Sequence, residues 1–373
     1  MLTNVLLILL AVPSVFYSGK PEVSPGTYFD VVGGEKVKLN KAVQDCLGKA
    51  GHDLPLSSVD SLILIGGVSI LTENEHNNYY QQCLPTILPV NTSVRVHYPV
   101  RRFPMFNDTR IVDRNPSFII IDKPHLLPSQ PYKGNRWENA QGFVECNGVV
   151  PKTFEDVRKI TEDSKRPSLL NRLDLPVSGL LFLGDSDISR STFMRMSKEN
   201  KIKKQYLAVS EKKIGTGVKR LLLFTKDERG GGGMGGSKGQ VLCSSDLRMS
   251  KKDGWTKCIM DVNRREEFSV EGKTRYEYTI NLVTGRKHQI RSCMAFLGAS
   301  LIGDSLYGPM ENKGVEFEME REEVEALEKG LQDGNSVRKR IGLRCVGVSV
   351  EERVFRADEG DFDGGKWWRK ELE

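Results

Sequence analysis

The sequence lacks the closely spaced cysteine and histidine pairs that bind structural metals. Its seven cysteines are scattered over 373 residues without a CxxC pair, and its five histidines form neither an HxxxH nor an HExxH spacing. An odd number of scattered cysteines also argues against a disulfide scaffold. We therefore expect no structural zinc site and no other bound metal.

A phosphate-binding loop is also missing, although one segment is rich in glycine. Residues 229–239 are RGGGGMGGSKG, and no glycine there is followed by the Lys-Ser or Lys-Thr pair of a GxxxxGK[ST] loop. The one Gly-Lys-Thr triplet, at 272–274, has Glu267 where that pattern requires glycine. We interpret 229–239 as a flexible surface insert.

The apolar run near the N-terminus is too short to span a membrane. Residues 2–17 are LTNVLLILLAVPSVFY, whereas a transmembrane helix requires about 20 apolar residues. No Lys or Arg precedes the run, and the first arginine of the chain is Arg95, so neither a typical secretory signal nor a mitochondrial presequence fits well. We interpret 1–20 as a targeting leader, with a short structural strand or a mis-assigned start as alternatives, and expect no membrane partner for the mature protein.

The net charge of +6 conceals an uneven distribution. Residues 1–100 carry a net −2, residues 101–310 a net +13 and residues 311–373 a net −5. A basic middle suits a polyanion such as nucleic acid. The alternative is a solvated, lysine-rich surface, and charge alone does not decide between the two.

Residues 34–100 show the pattern of a small α/β module. Apolar residues follow helical spacing over 37–47, a second apolar stretch covers 59–65, and a glycine turn at 66–67 precedes closing strands that end near 97. This arrangement resembles the S-four RNA-binding domain, which implies contacts to RNA phosphates. Other small α/β units would give a similar pattern.

The remaining chain alternates strands with two predicted helices. A helix is expected over 187–201, with four candidate inward residues: Ile188, Phe193, Met194 and Met196. The charged C-terminal extension 311–373 is expected to contain a helix at 316–329 and a late strand at 341–350.

Three segments place polar residues between apolar strands. They are NRLDLPVSGLLFL at 171–183, KKQYLAV at 203–209 and TGRKHQIR at 284–291, the last followed by LG at 297–298 and IGDSLYG at 302–308. Each alone has a structural explanation: a turn-capping aspartate, a packed tyrosine and a solvated basic face. Their joint occurrence in this order is far more specific.

Together these segments resemble the RluA family of RNA pseudouridine synthases, whose motifs are HRLDxxTSGLLL, KxYxAxV and TGRxHQIRxHxxxLGxPIxGDxxYG. The match runs from about Pro116 to Gly308, including a strand that ends in Asp-Lys-Pro at 122–124. The resemblance implies an α+β catalytic domain over 111–310, with a mixed, largely antiparallel central sheet flanked by helices and loops. It also implies a reaction without cofactor or metal, in which a uracil is detached from its ribose, turned and rejoined through carbon five.

The resemblance also implies roles for individual residues. Asp174 matches the catalytic aspartate, whose attack on the ribose or on the base stays open, and Arg291 matches the basic residue paired with it. Tyr206 matches the tyrosine that stacks on the target uracil, with Ile290 packed against its ring. Arg172 matches the arginine that fills the gap left by the flipped nucleotide. The expected RNA-contacting set is Arg172, Asn171, Arg286, His288, Gln289 and Ile290.

Departures from the family pattern fall beside the catalytic positions. Asn171 replaces the usual His, Val177 replaces the usual Thr, and Ser-Cys-Met at 292–294 replaces a Val-His-Leu type run. We expect Asn171 to affect RNA positioning more than chemistry, and Val177 to alter the hydrogen bonding of the turn.

These observations predict a monomeric RNA pseudouridine synthase that acts on tRNA or rRNA. The alternative is a catalytically silent RNA-binding or ribosome-assembly factor that retains the fold. We expect an RNA-containing organelle, a plastid or mitochondrion, if the leader is real, and the cytoplasm or nucleus otherwise. A secreted protein is disfavoured, because an RNA-modifying enzyme has no evident substrate outside the cell.

Overall fold

The computed structural model of the chain describes residues 26–71, 80–132, 134–163, 166–225, 241–246, 254–270, 272–308 and 341–357. Three predicted features lie outside these residues: the leader 1–20, the glycine-rich insert 229–239 and the charged helix 316–329. The described residues form two compact units. Unit 1 comprises the described parts of 1–107 and 128–167, and unit 2 comprises those of 108–127 and 168–373.

Unit 1 combines helices with a small antiparallel sheet. Its elements are β1 (Gly26–Val31), β2 (Val37–Lys38), α1 (Leu39–Lys49), α2 (Leu56–Ile65), β3 (Val68–Leu71), β4 (Tyr80–Gln82), β5 (Ile87–Leu88), β6 (Ser93–Tyr98), α3 (Ala140–Glu145) and α4 (Phe154–Asp163). The sheet order is β1-β6-β3-β4, with all pairings antiparallel, and β2 pairs separately with β5. A 3₁₀ turn spans Pro104–Asp108.

The first two helices form where the sequence places apolar residues at helical spacing. α1 buries Leu39, Val43 and Leu47, which lie one above another on a single face. α2 ends where Gly66 adopts a φ of +88°, a left-handed conformation that suits glycine. Both helices and the glycine turn therefore occur where the sequence predicts them. The likeness of this unit to an S-four domain, and its contact with RNA, stay predictions.

Segment 128–167 completes the core of unit 1. Trp137 and Val157 are buried in that core, and the indole Nε1 of Trp137 donates to the carbonyl oxygen of Leu64 at 2.8 Å. The division at 107/108 lies between the predicted limits 100 and 111, whereas segment 128–167 lies within the range predicted for the second domain. The assignment of 34–100 and 111–310 as functional domains stays a prediction. Unit 1 already includes the strand that begins at Gly26, and segment 128–167 groups with it because its apolar side chains fill its core.

Unit 2 is dominated by one large sheet. Its strands are β7 (Arg110–Arg114), β8 (Ile119–Lys123), β9 (Ser168–Leu169), β10 (Ser178–Gly184), β11 (Ile202–Ser210), β12 (Gly217–Thr225), β13 (Val241–Ser244), β14 (Trp255–Val270), β15 (Lys273–Leu282), β16 (Leu343–Val350) and β17 (Arg353–Arg356). The order is β13-β12-β14-β15-β11-β16-β10-β8-β7, with β17 beside β16 and β9 beside β10.

The pairing pattern of this sheet confirms the predicted fold class. Among the described strands, β10 and β16 form the one parallel pair, and every other pairing is antiparallel. The late strand predicted at 341–350 is β16, which lies between β10 and β11 near the centre of the sheet. The end of the described chain is thus structurally part of unit 2.

Two helices accompany the sheet of unit 2, α5 (Asp187–Lys198) and α6 (Gln289–Phe296). In α5, Phe193 and Met196 are buried as predicted, but Ile188 and Met194 are exposed. The prediction was wrong for these two residues because the buried face of α5 runs through positions 189, 193 and 196 and begins with the small polar residue Ser189. Positions 188 and 194 lie off that face. No helix among the described residues is long and apolar enough to cross a membrane.

The parallel pair β10 and β16 approaches unusually closely at Gly179. This residue has a φ of +108°, and a Cβ atom there would lie 2.1 Å from the carbonyl oxygen of Cys345. Neither the backbone conformation nor the space admits a side chain. Glycine at this position therefore lets β16 pack against β10.

We predict that Gly179→Ala strongly destabilises unit 2. The strained φ and the backbone clash together should cost about 3 kcal/mol or more, which would lower the midpoint of thermal unfolding or prevent folding. Gly215→Ala is the matched control, because that glycine has no left-handed φ and only the end of the Lys219 side chain near its Cβ position. Equal unfolding midpoints for the two variants would contradict this interpretation.

Candidate active site

Three structural elements of unit 2 present the predicted catalytic residues. Asp174 lies in the connection between β9 and β10, where the Val177 N–H donates to the Asp174 carbonyl oxygen at 3.0 Å and closes a turn. Tyr206 lies on β11, and Arg291 lies in the first turn of α6. The sheet order therefore brings together residues that are far apart in sequence.

Asp174 and Arg291 form the ion pair that the sequence predicts. The Arg291 Nη1 donates to Asp174 Oδ2 at 2.9 Å, across 117 residues of sequence. On its inner side, Arg291 binds Asp304 through two parallel hydrogen bonds of 2.9 Å, from Nε to Oδ2 and from Nη2 to Oδ1. One guanidinium thus connects two carboxylates.

The charge of Arg291 is maintained by these partners despite burial. Burial alone would lower the pKa of Arg291, but hydrogen bonds and the negative charges of Asp304 and Asp174 outweigh it and raise that pKa. Only 7% of the Arg291 side chain is exposed, compared with 30% for Asp174. The arginine is therefore a fixed internal cation, and the aspartate is its solvent-facing partner.

The contacts of Asp174 fall on one of its two oxygens. Oδ2 accepts from Arg291 and lies 3.5 Å from the Nε2 of His288. Among the described residues, Oδ1 has no hydrogen-bond partner. A carboxylate held by one oxygen leaves the other available to react with a substrate.

His288 lies inside the site rather than on its surface. It caps the N-terminus of α6 with a φ of +52°, and its Nδ1 lies 2.9 Å from the hydroxyl of Tyr307. Burial lowers the pKa of His288, and the charges of Arg291 and Lys287 lower it further, against the opposing effect of Asp174. The ring is therefore neutral at neutral pH.

Tyr206 is almost completely buried. Burial raises its pKa well above 10, and a hydrogen bond with Cys345 and the negative charge of Asp174 act in the same direction. The phenol therefore keeps its proton at neutral pH.

A buried lysine supports the loop that carries Asp174. The Lys123 Nζ donates to the carbonyl oxygens of Pro124, Leu127 and Leu175, at 2.9, 2.7 and 3.4 Å. Burial lowers the pKa of Lys123 to about 7, although the charges of Asp174 and Asp122 oppose that shift. The contact with Leu175 ties the end of β8 to the residue that follows Asp174.

The predicted RNA-contacting residues divide into exposed and buried groups. Arg172 and Arg286 are exposed, as contact with RNA requires. Gln289 and Ile290 are buried, as Tyr206 is, and their contact with RNA stays a prediction. The Gln289 Oε1 accepts from the Thr284 hydroxyl and the Arg286 N–H, which stabilises the turn before α6.

Four residues of the site received no role from the sequence. Asp304 and Tyr307 lie within the third motif, so their position in IGDSLYG was the available signal. Lys123 lies in the Asp-Lys-Pro sequence at the end of β8. Cys345 belongs to no motif, and it is part of the site because the pairing of β16 with β11 places it opposite Tyr206. No group of three or more His, Cys, Asp or Glu side chains in the described part of the chain could hold a metal ion.

Comparison with known proteins connects this geometry to a family. Residues 117–296 match the family model described as RNA pseudouridylate synthase. Over residues 117–296 the chain is thus similar to RNA pseudouridine synthases. Proteins of the family are isomerases that act on RNA, which confirms the family predicted from the three motifs.

Several named pseudouridine synthases are similar to the chain. RNA pseudouridine synthase 6, chloroplastic, of Oryza sativa subsp. japonica is 23% identical over 314 residues, which cover 76% of this chain and 61% of that protein. An uncharacterized RNA pseudouridine synthase of Haemophilus influenzae is 29% identical over 55% of this chain and 76% of its own length. The solved structure of Human RNA Pseudouridylate Synthase Domain Containing 1 is 15% identical, with a TM-score of 0.44 over 70% of this chain and 86% of that one. The chain thus spans about three-fifths of the rice relative's length.

The departures from the pseudouridine synthase motif at 171–183 have structural consequences. Asn171 is buried, and its Oδ1 accepts from the Phe182 N–H at 2.7 Å. This contact links the Asp174 loop to β10, and contact of Asn171 with RNA stays a prediction. Val177 is buried, and a hydroxyl there would require a partner in an apolar setting.

We predict that Asp304→Ala destabilises this pseudouridine synthase fold by about 3–5 kcal/mol, because it leaves Arg291 buried beside a single carboxylate. The free energy of unfolding from urea titration measures the effect. Glu199→Ala is the control, because its ion pair with Lys201 is exposed and should contribute little. A similar loss of stability in both variants would contradict the proposed importance of the Arg291–Asp304 pair.

Proposed function

We propose that the chain is an RNA pseudouridine synthase that isomerises uridines in tRNA or rRNA. The observation that carries this proposal is the Asp174 carboxylate, held through Oδ2 at 2.9 Å by a buried arginine while Oδ1 has no partner among the described residues. Similarity to the family over residues 117–296 supports the same activity. The site thus has an oriented acidic group that faces solvent, supported by a fixed internal cation.

The proposed reaction moves a bond and a proton within the substrate. The bond between uracil N1 and ribose C1′ breaks, a bond between uracil C5 and C1′ forms, and the proton lost from C5 is balanced by one gained at N1. No atom or electron is lost, so an oxidant or reductant is unnecessary. Asp174 Oδ1 would attack either the ribose at C1′ or the base at C6, and its geometry is compatible with both.

Tyr206 is proposed to contact the target uracil as a protonated phenol. Its raised pKa makes it unsuited to remove a proton from C5 by itself, but its ring can stack on the base and its hydroxyl can donate a hydrogen bond. Removal of the C5 proton then falls to a group such as the Asp174 carboxylate after its release. The role of Tyr206 is therefore to hold the base while it turns.

RNA is proposed to bind through exposed cations around the acidic centre. The glycosidic bond cannot be reached inside a base stack, so the nucleotide must be flipped at a cost of a few kcal/mol. Arg172 is exposed and is proposed to fill the resulting gap, while exposed Arg286 and Lys287 contact phosphates. These cations would offset the repulsion between Asp174 and the RNA backbone.

Release of tritium from RNA that carries it at carbon 5 of uridine tests the proposal. The wild-type protein should release label from tRNA or rRNA, because the C5 proton is lost in the reaction. Asp174→Asn should reduce the rate by at least about 1,000-fold. Asp185→Asn, an exposed aspartate outside the site, should retain the wild-type rate.

The same assay distinguishes an enzyme from a silent RNA-binding factor. Absence of release above the Asp174→Asn background, in both tRNA and rRNA pools, would contradict the proposed activity. If wild type and Asp174→Asn then bound RNA with equal affinity, the chain would be assigned as an RNA-binding or ribosome-assembly factor.

We also propose that the protein acts in a plastid. The similar proteins called RNA pseudouridine synthase 6 in Oryza sativa and in Arabidopsis thaliana are both named chloroplastic, and the apolar segment at 2–17 has the length of a targeting signal. A fluorescent protein fused to the C-terminus of the full chain should co-localise with plastid markers, and deletion of residues 1–20 should abolish that location. A cytosolic or mitochondrial signal from the full-length fusion would contradict the proposal.

A further inference from the structure

His288 connects two residues of the site through its two ring nitrogens. Its Nδ1 lies 2.9 Å from the hydroxyl oxygen of Tyr307, and its Nε2 lies 3.5 Å from Oδ2 of Asp174. Only 13% of the His288 side chain is exposed. The ring is thus placed to transmit the orientation of Tyr307 to the carboxylate.

The hydrogen-bond direction at Tyr307 can be assigned from its neighbours. The backbone N–H of Val241 donates to the Tyr307 hydroxyl oxygen at 2.8 Å. Burial raises the pKa of Tyr307 to about 12, so the phenol keeps its own proton at neutral pH. Among the described residues, the one acceptor within hydrogen-bond distance of that proton is His288 Nδ1.

The other neutral tautomer of His288, with the ring proton on Nδ1, is electrostatically unfavourable. If Nδ1 carried the ring proton, the unprotonated Nε2 would direct its lone pair at the Asp174 carboxylate. The Tyr307 proton would also lose its acceptor within the described part of the site. A neutral ring with its proton on Nε2 is compatible with both contacts, because Nδ1 accepts from Tyr307 and the Nε2–H turns the positive end of its dipole towards Asp174, 3.5 Å away.

We propose that Tyr307 fixes the Nε2–H tautomer of neutral His288, and that His288 then holds Oδ2 of Asp174 so that Oδ1 faces the uridine. Both are positioning residues, and their effect on catalysis rests on the function proposed above. This assignment replaces the predicted RNA contact of His288 with a contact inside the site.

The backbone of His288 is consistent with a constrained role. Its left-handed φ of +52° is uncommon for a residue other than glycine. Its carbonyl oxygen accepts from the Ser292 N–H and hydroxyl, at 2.9 and 3.0 Å. The guanidinium of Arg291 lies over the Tyr307 ring, 5.3 Å from its centroid, and the His288 ring packs edge-on against the same ring. Tyr307 therefore contacts both residues that approach Oδ2 of Asp174.

The tautomer can be measured without any assay of activity. In full-length protein with ¹⁵N-labelled histidine at pH 7, NMR should show His288 with a protonated Nε2 and an unprotonated Nδ1, with its signals assigned by their absence from His288→Gln. Tyr307→Phe should shift the ring towards a mixture of tautomers. A protonated Nδ1, or a charged ring, in the wild-type protein would overturn the proposal.

Kinetics then test the consequence for Asp174. Tyr307→Phe should lower the single-turnover rate about tenfold, the equivalent of one hydrogen bond to a charged group, with RNA affinity unchanged. His288→Gln retains an N–H donor near the Nε2 position, so adding Tyr307→Phe to it should cause no further loss. If the free-energy losses of the two single variants add in full in the double variant, Tyr307 and His288 act independently, and the proposed coupling between them is overturned. A wild type with the expected tautomer but no tritium release would contradict the proposed function alone.

Discussion

A buried guanidinium requires carboxylates around it, and the geometry of this site depends on how Arg291 satisfies that requirement. Asp304 binds Nε and Nη2 from the interior, which fixes the plane of the guanidinium. The remaining contact, from Nη1, then determines where Oδ2 of Asp174 lies. The orientation of the Asp174 carboxylate therefore depends on an ion pair that is buried behind it, and loss of Asp304 would leave the Nε and Nη2 donors of Arg291 buried without their acceptors.

The sheet of unit 2 brings the parts of this arrangement together. β16 lies between β10, which follows the Asp174 loop, and β11, which carries Tyr206. The close approach at Gly179 permits the parallel β10–β16 pairing, and the antiparallel β11–β16 pairing places Cys345 opposite Tyr206. A strand from the end of the described chain thus lies between the strands that position Asp174 and Tyr206.

The sequence predicted the pairing of Asp174 with Arg291 better than it predicted the surroundings of that pair. Three specific motifs carry Asp174, Tyr206 and Arg291, whose catalytic roles stay proposals, and β16 was found because its apolar run is clear. Gln289 and Asn171, which the resemblance places in the RNA-contacting set, make internal hydrogen bonds that the motifs do not indicate. Motifs report which residue types occur together, whereas burial depends on the packing of distant strands. The same limit explains why Trp137 was not recognised as part of the core of unit 1.

The central claim is that Arg291 orients Asp174 by its fork-shaped geometry, and not only by its charge. Arg291→Lys keeps the positive charge but cannot bind Asp304 at two points and Asp174 at the same time. We predict that its single-turnover rate of tritium release falls at least about 100-fold, because a misplaced reactive group is that costly, while its affinity for RNA is unchanged. A wild-type rate in Arg291→Lys would contradict the account.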